Sequence, residues 1–522
     1  MLVDLSRGLL TPDWSITYPQ LVVFGLALLL LMLDAFAPRR FHYGLLTGVS
    51  LLGYGLAAAA LWTQDGRNEM TFWWSFRADG LSVFLSLVIL VSAILSVLTA
   101  ASYVDQLEGH LPIGEFYVLL AFAVLGAMLV GAAGDLVVIF VAIELSSLAT
   151  YILTAFAKRR LTALEGGMKY FLLGIFASAI LVYGMTWVYW LTGTTDLDGI
   201  ARAMQNNVVG GEALLDPALV LALLLVIVGL GFKMAAVPFH FWTPDAYDGA
   251  ATPVTAYMSV IPKVAAFAAA IRILVQALGP LSNDWVNVIA VLALVTMTFG
   301  NVVAIAQRNV KRMLAYSSIA HTGYMMVGLA AYRSTGGFPA PGVTPTTGDN
   351  GITALLIYLL AYAVMNIGAF AVVTWVQHRG RGMDLDDYNG LASREPLAAA
   401  ALTVFLISLM GIPPTIGFYA KYQVIVAAIE IGTIGLILSL GIVVLSAVSA
   451  FYYLRVVAAM YFNPAPEREL RPAKTGLLNV GIGAMAVVTL LGSVVGSGRV
   501  FELADRWYQA LTVTIAAVGM GG

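Results

Sequence analysis

The sequence has no cysteine and only five histidines, and both shortages exclude classes of chemistry. Without cysteine the 522-residue chain cannot form disulfides, thiolate-bound zinc sites or cysteine-ligated iron–sulfur clusters. The histidines are scattered singly, which argues against a metal site; they are His42, His110, His240, His321 and His378. We therefore expect neither a metal nor a redox cofactor in this chain, and the absence of a basic stripe argues against nucleic-acid binding.

Charge is also scarce, because 11% of the residues are charged whereas 60% are hydrophobic. The mean hydropathy is +0.89, and no soluble domain of this length could bury so much apolar surface. A membrane span needs about 20 apolar residues, so the length accommodates about fourteen transmembrane helices. We predict an all-α polytopic membrane protein, in contact with the lipid bilayer, in which residues 1–522 form a single membrane domain.

Lysine and arginine are unevenly divided between the connections on the two sides of the predicted membrane. Fifteen of the 27 lie on one side and seven on the other, and the remaining five lie in or beside spans. The richer side is expected to be cytoplasmic, so an even number of spans places both termini outside, in the periplasm of a bacterial inner membrane. The first span is expected to be retained rather than cleaved as a signal peptide, since the Arg39-Arg40 pair follows it and no positive cluster precedes it.

Two of the apolar runs contain glycine and proline beside a lysine. In the seventh run Lys233 precedes Pro238, and in the twelfth Pro413 and Pro414 precede Lys421. Proline cannot donate a backbone hydrogen bond, so we predict that helices seven and twelve are broken. They are five helices apart and cross the membrane in opposite directions, which predicts two inverted five-helix repeats, residues 116–278 and 285–462.

Ionisable residues lie deep within four spans. Glu144 is near the middle of the fifth span and Lys263 is at similar depth in the eighth, alongside Lys233 and Lys421. The midplane is roughly 15 Å from either interface, too far for a lysine to reach water, and unpaired charges there cost at least a few kcal/mol each. One interpretation is that these residues form structural ion pairs. The functional interpretation is proton exchange: Glu144 pairs with Lys233, and breaking that pair sends a proton towards Lys263 and then Lys421.

Three further residues are lesser candidates for the same path. His240 follows the broken turn of span seven, and His321 lies in span ten; each could relay protons or be a hydrogen-bonded core histidine. Lys169 lies at the edge of span six after Glu165, where an interfacial ion pair is the simpler alternative. Arg272 has no firm role.

Several motifs resemble the antiporter-like, proton-translocating membrane subunits of respiratory complex I, the NADH:quinone oxidoreductase. The motifs extend from span five to span twelve and are Glu144 to Leu153, Glu165 to Gly174, Phe232 to Asp245, Lys311 to His321 and Gly411 to Lys421. The sequence that follows Glu165, and the lysine at position 421, resemble the N-type branch of these subunits. The resemblance implies fourteen helices with two inverted repeats, and a proton path through Glu144, Lys233, Lys263 and Lys421. It also implies that NADH, FMN, iron–sulfur clusters and quinone are bound by partner subunits of the complex.

Three alternatives to this function remain open from the sequence. One is a subunit of a multi-subunit cation/proton antiporter, which shares the expected fold. Another is a subunit of a ferredoxin-driven enzyme related to complex I, since no residue for binding an electron donor is found in this chain. A purely structural membrane spacer is the third, and the four buried charges argue against it.

Overall fold

The computed structural model describes residues 12–38, 42–107, 113–208, 217–332, 350–465 and 475–495. The Arg39-Arg40 pair, His110 and both chain ends lie outside these ranges. Twelve helices in the described chain are long and apolar enough to cross a membrane. The prediction of a largely helical, polytopic membrane protein is thereby confirmed.

The described residues of the first half of the chain form nine α-helices and one short hairpin. The hairpin consists of β1 (Glu69–Thr71) and β2 (Phe76–Ala78), paired antiparallel, and it departs from the purely α-helical prediction. The helices are α1 (Tyr18–Phe36), α2 (His42–Ala60), α3 (Gly80–Leu107), α4 (Ile113–Gly131), α5 (Leu136–Thr154), α6 (Leu161–Thr192), α7 (Leu197–Val208), α8 (Pro217–Met234) and α9 (Trp242–Gly249).

The second half contains the most deeply buried helices. Nearly all residues of 252–277 and of α14 are buried inside the protein, so these segments form its centre. The helices are α10 (Thr252–Met258), α11 (Ile261–Ala270), α12 (Ser282–Ile305), α13 (Val310–Ala330), α14 (Asn350–His378), α15 (Leu391–Arg394), α16 (Pro396–Met410), α17 (Ile416–Ile429), α18 (Thr433–Phe462) and α19 (Gly476–Val495).

The seventh predicted span is interrupted between α8 and α9, at the proline of the sequence motif. The backbone turns at Ala235, whose φ is 64°. A broken helix leaves carbonyls without partners, and inside a membrane other groups of the protein must satisfy them. Trp242 Nε1 donates to the Phe232 carbonyl at 3.1 Å, and Thr322 Oγ1 donates to the Met234 carbonyl at 3.0 Å. The break therefore fixes the end of α8, where Lys233 lies.

The twelfth predicted span is interrupted between α16 and α17. Gly411 ends α16 in the left-handed region, with φ 89°, a conformation that glycine adopts without strain. Thr415 Oγ1 donates to the Ile412 carbonyl at 2.7 Å, and Ser408 Oγ accepts from the Gly417 N–H at 3.1 Å. Both predicted interruptions are thus present.

The eighth predicted span is also interrupted, which the sequence analysis did not anticipate. It consists of α10, α11 and a π-helical segment, Ile271–Ala277. Pro262 occupies the first turn of α11, where its missing N–H costs nothing because no carbonyl precedes it within the helix. Lys263 therefore lies in the first turn of a new helix rather than in the middle of a continuous one.

Candidate functional site

Glu144 and Lys233 form a buried ion pair between α5 and α8. Lys233 Nζ lies 3.0 Å from Glu144 Oε1 and 3.0 Å from Ser147 Oγ. Ser178 of α6 donates to the same carboxylate oxygen at 2.6 Å. The lysine side chain is 7% exposed and the glutamate side chain 20%. Glu144 and Lys233, whose contact the sequence left open, thus touch directly. Side chains from three helices, α5, α6 and α8, form the hydrogen bonds around the pair.

Lys263 has a different environment, without a carboxylate. Its Nζ lies 2.5 Å from both the carbonyl and the hydroxyl oxygen of Ser318 in α13. Tyr362 of α14 donates to the same hydroxyl at 2.8 Å, and its ring lies 5.5 Å from the lysine nitrogen. Within the described ranges Lys263 forms no ion pair, so neutral dipoles and an aromatic face stabilise its ammonium form.

A hydroxyl group connects the surroundings of the first two lysines. Thr322 Oγ1 lies 3.0 Å from the carbonyl of Met234, the neighbour of Lys233, and 3.1 Å from the carbonyl of Ser318. The Ser318 carbonyl is also a partner of Lys263. The end of α8 and the start of α11 are therefore joined through two residues of α13, Thr322 and Ser318.

His321 lies in a cluster of tyrosines between Lys263 and Lys421. Its Nδ1 is 2.7 Å from the hydroxyl of Tyr358 and its Nε2 is 3.4 Å from that of Tyr453. Its ring centroid lies 5.3 Å from that of Tyr362, which contacts Lys263, and 5.5 Å from that of Tyr324, which contacts Lys421. Lys233, Lys263 and Lys421 form a row of buried amines. The structure places His321 in this row, between Lys263 and Lys421.

Lys421, in the first turns of α17, ends this row. Its Nζ donates to the carbonyl of Met410 and to the hydroxyl of Ser446, both at 2.9 Å. The same nitrogen lies 4.7 Å from the ring centre of Tyr324, within the range of a cation–π interaction. No acidic side chain in the described part of the chain forms an ion pair with it.

Two of the lesser candidates lie apart from the row. His240 is buried, its ring packs against Phe299 with 4.5 Å between centroids, and its Nδ1 has no hydrogen-bond partner among the described residues. Lys169 is 44% exposed and forms ion pairs with Glu165 at 2.6 Å and Asp245 at 2.8 Å. Lys169 therefore belongs to a surface ion cluster at the start of α6 and α9.

The sequence analysis missed the polar partners of the amines. Ser147, Ser318, Ser446 and the tyrosines of α14 are common residue types in apolar helices, and composition alone does not distinguish them. A helical spacing was nevertheless available as a signal: Tyr358 and Tyr362 are four residues apart on one face of α14, as are Ser318 and Thr322 on α13.

Arg272, for which the sequence suggested no role, anchors a second ionic network. Its guanidinium donates to both carboxylate oxygens of Asp79, at 2.7 and 2.8 Å, and both side chains are fully buried. Gln276 Nε2 continues the network to Asp198 at 2.8 Å, and Arg77 forms an ion pair with the same carboxylate. Burial is the largest single influence and favours the neutral acid. The charges of Arg272 and Arg77, together with the hydrogen bonds from Arg272 and Ser82, nevertheless hold the pKa of Asp79 below its ordinary value.

Among the described residues, no group of three or more histidine and acidic side chains could hold a metal ion. The chemistry available is therefore that of carboxylate, amine, imidazole and hydroxyl groups, all of which donate or accept protons. In the row, hydrogen bonds and ring contacts link these groups from α5 to α17.

The chain matches known proteins over nearly its whole length. Residues 133–448 match the family model described as NADH:quinone oxidoreductase/Mrp antiporter, transmembrane. NADH-quinone oxidoreductase subunit N of Trichlorobacter lovleyi is 40% identical over 89% of this chain and 91% of its own. Subunit N 1 of Herpetosiphon aurantiacus is 38% identical over 97% and 99%.

Solved structures agree with the sequence relatives. A chain of respiratory complex I from Thermus thermophilus is 32% identical, with a TM-score of 0.72 and coverage of 91% of this chain and 98% of that one. A chain of the Mrp complex from Dietzia has a TM-score of 0.79 at 23% identity, covering 96% and 99%, which shows a shared fold. The chain therefore belongs to the NADH:quinone oxidoreductase/Mrp antiporter transmembrane family, and within it to the branch of the N subunits.

Proposed function

We propose that this chain is a proton-translocating membrane subunit of an NADH:quinone oxidoreductase, and that Glu144, Lys233, Lys263 and Lys421 carry its protons. The observation that carries this proposal is the 3.0 Å ion pair between Glu144 and Lys233, at one end of a buried row of amines. Lys263 and Lys421 continue the row, with His321 between them. NADH, FMN, iron–sulfur clusters and quinone belong to partner subunits.

The proposed transfer begins at the ion pair. Glu144 stabilises the ammonium form of Lys233, so any change that weakens the pair makes Lys233 a stronger proton donor. The proton passes towards Lys263, whose surroundings share Thr322 and Ser318 with the end of α8. From Lys263 it reaches Lys421 by way of His321, which lies among the tyrosines that contact both amines. Electron transfer in the partner subunits supplies the energy that weakens the pair.

The fold proposed for this function has fourteen spans in two inverted repeats, residues 116–278 and 285–462. Two spans add to the twelve long apolar helices: α13, and the pair α16 and α17 taken together. Interrupted helices five spans apart support the repeats. Equivalent contacts in α5 and α13 add to that support, because Ser147 and Ser318 each bind a lysine, and three residues later Thr150 and His321 each bind a tyrosine hydroxyl. Both termini would face the periplasm of a bacterial inner membrane.

Replacing either member of the ion pair tests the proposal. We expect Lys233→Ala or Glu144→Ala to abolish NADH-driven proton pumping in membrane vesicles, while the complex still assembles and reduces an artificial electron acceptor. Pumping is followed with a pH-sensitive dye, and assembly on a native gel. A stably assembled variant that pumps at the normal rate would contradict the proposed path.

The composition of the native complex distinguishes the remaining candidates, because the family model also includes Mrp antiporters. Purification with flavin and iron–sulfur subunits and an NADH-binding subunit supports the proposal. Iron–sulfur subunits without an NADH-binding partner would indicate a ferredoxin-driven enzyme, and the absence of redox partners would indicate a cation/proton antiporter.

A further inference from the structure

Each amine of the row contacts one serine hydroxyl. Lys233 Nζ lies 3.0 Å from Ser147 Oγ, Lys263 Nζ 2.5 Å from Ser318 Oγ, and Lys421 Nζ 2.9 Å from Ser446 Oγ. Ser147 and Ser318 lie at equivalent positions of α5 and α13, whereas Ser446 belongs to α18, so internal repetition alone does not account for the pattern. A common chemical requirement of the three amines accounts for it.

That requirement follows from the two protonation states of a transfer lysine. A charged ammonium only donates hydrogen bonds, whereas a neutral amine has a lone pair that accepts one. A carboxylate or a backbone carbonyl can only accept, so neither can satisfy that lone pair, and a buried polar atom without a partner is costly. A hydroxyl group is both donor and acceptor, and rotation of its hydrogen serves both states.

Lys263 shows this arrangement most completely. Both of its partners are atoms of Ser318: a carbonyl, which accepts in either state, and a hydroxyl, which can reverse. Tyr362 donates to that hydroxyl oxygen at 2.8 Å and holds it in place. Lys421 repeats the pattern with the Met410 carbonyl and the Ser446 hydroxyl. Lys233 differs, because Glu144 is its second partner.

We propose that Ser318 and Ser446, and to a smaller extent Ser147, are positioning residues whose hydroxyl groups switch from acceptor to donor when their lysine loses its proton. This inference rests on the proposed function, since it requires that the lysines carry protons. When the Nζ–H bond of Lys263 breaks and the proton passes on along the row, the Ser318 hydroxyl hydrogen rotates to the nitrogen lone pair. Tyr362 donates to Ser318 Oγ in both states, so the lysine nitrogen and the tyrosine hydroxyl each keep a partner in either state.

The charged and titratable neighbours of the two unpaired amines are compatible with this switch. Lys263 faces Tyr362 of α14 and Lys421 faces Tyr324 of α13. The centroid of the His321 ring lies 5.3 Å from that of Tyr362 and 5.5 Å from that of Tyr324. No carboxylate in the described ranges forms an ion pair with either amine, so the hydroxyl groups are their only side-chain hydrogen-bond partners within those ranges.

Serine substitutions in the assembled complex test the proposal, with NADH-driven proton pumping as the readout. We expect Ser318→Ala and Ser446→Ala to slow pumping by roughly ten-fold, the effect of about one buried hydrogen bond, and Ser147→Ala to slow it less. Ser318→Thr should retain pumping within about two-fold because it keeps the hydroxyl. Ser318→Val has the shape of the threonine variant but lacks the hydroxyl, and it should slow pumping as Ser318→Ala does. Ser96→Ala is the matched control, because buried Ser96 donates only to the Ser92 carbonyl of its own helix, at 2.7 Å.

Two outcomes would overturn the proposal. One is pumping by Ser318→Ala and Ser446→Ala at the rate of Ser96→Ala. The other is equal pumping by the threonine and valine variants, which would assign Ser318 a packing role; this comparison also decides the matter if an alanine variant assembles poorly. A Lys263→Ala variant separates the two proposals: normal pumping there contradicts the proton path itself, whereas loss of pumping there with normal serine variants contradicts only the hydroxyl switch.

Discussion

The ion pair between Arg272 and Asp79 has a structural role and takes no part in the proposed proton path. The pair is fully buried and bidentate, and it joins the π-helical end of the eighth span to the residue before α3. A charge left alone in such a site is not compensated by water. The buried charges of the described residues thus include two separate groups: the row from Glu144 to Lys421, for which we propose proton exchange, and the Arg272 network, which joins helices.

We expect Arg272→Met to destabilise the protein by about 3–5 kcal/mol, because it leaves the Asp79 carboxylate buried without its partner. The matched control is Arg67→Gln, which removes an exposed ion pair to Glu69 at 3.7 Å and should cost at most about 1 kcal/mol. Thermal unfolding of the detergent-solubilised complex measures both. Equal melting temperatures for the two variants would show that the buried pair is not a stabilising contact.

At this scale the sequence predicted the charges better than their partners. Depth in an apolar run made Glu144 and Lys263 candidates, since charges are rare at the membrane centre. Glycine and proline beside a lysine did so for Lys233 and Lys421. Arg272 and Asp79 are 193 residues apart, and no local pattern connects them. The serine partners were not distinguishable either, because a serine in an apolar helix most often bonds to its own backbone, as Ser92 and Ser96 do.

Among the elements, the interrupted helices position the buried amines. Lys233 lies in the last turn of α8, Lys263 in the first turn of α11 and Lys421 in the second turn of α17. At each position the helix end frees backbone groups, and the Met410 carbonyl that binds Lys421 belongs to the last residue of α16. At Lys421 the interruption therefore supplies an acceptor that a continuous helix would have used internally. The acceptors of Lys233 and Lys263 come instead from the neighbouring helices α5 and α13.

Gly411 offers a test of this placement. A Cβ atom at Gly411 would lie 2.9 Å from Lys421 Cδ, and the backbone there has φ +89°. We expect Gly411→Ala to displace Lys421 and reduce proton pumping several-fold, in addition to a backbone strain of about 1 kcal/mol. Gly432→Ala is the control, because Gly432 has φ +80° and nothing within 4 Å of its added Cβ. If both variants pump equally well, the position of Lys421 does not depend on the turn.

Glycine and proline predicted two of the three interruptions. The third, in the eighth span, was not predicted, for a physical reason. Pro262 is a single proline without a neighbouring glycine, in a run that otherwise reads as one apolar helix. Proline at the start of a helix and proline inside a helix give the same local sequence pattern. The short hairpin of residues 69–78 was missed because three-residue strands give too little alternation to recognise.

The whole molecule lacks cysteine, which makes its orientation directly measurable. We expect Thr63→Cys, in the exposed connection between α2 and β1, to react with a membrane-impermeant maleimide from the periplasmic side. Arg159→Cys, between α5 and α6, should react only from the cytoplasmic side, because that connection belongs to the richer set of positive charges. Each variant serves as the control for the other, and the reversed pattern would invert the proposed orientation.

The spacing of the amines in the row affects how many protons they bind at the same time. Lys263 contacts the ring of Tyr362 and Lys421 that of Tyr324, and the His321 ring lies next to both tyrosines. Neither amine forms an ion pair within the described ranges. Like charges repel strongly where the dielectric constant is low, so a proton on one amine opposes protonation of the other. We therefore expect the row to load protons anticooperatively. It would then hold one transferable charge at a time, and the order in which its sites empty would follow from mutual repulsion without a mechanical gate.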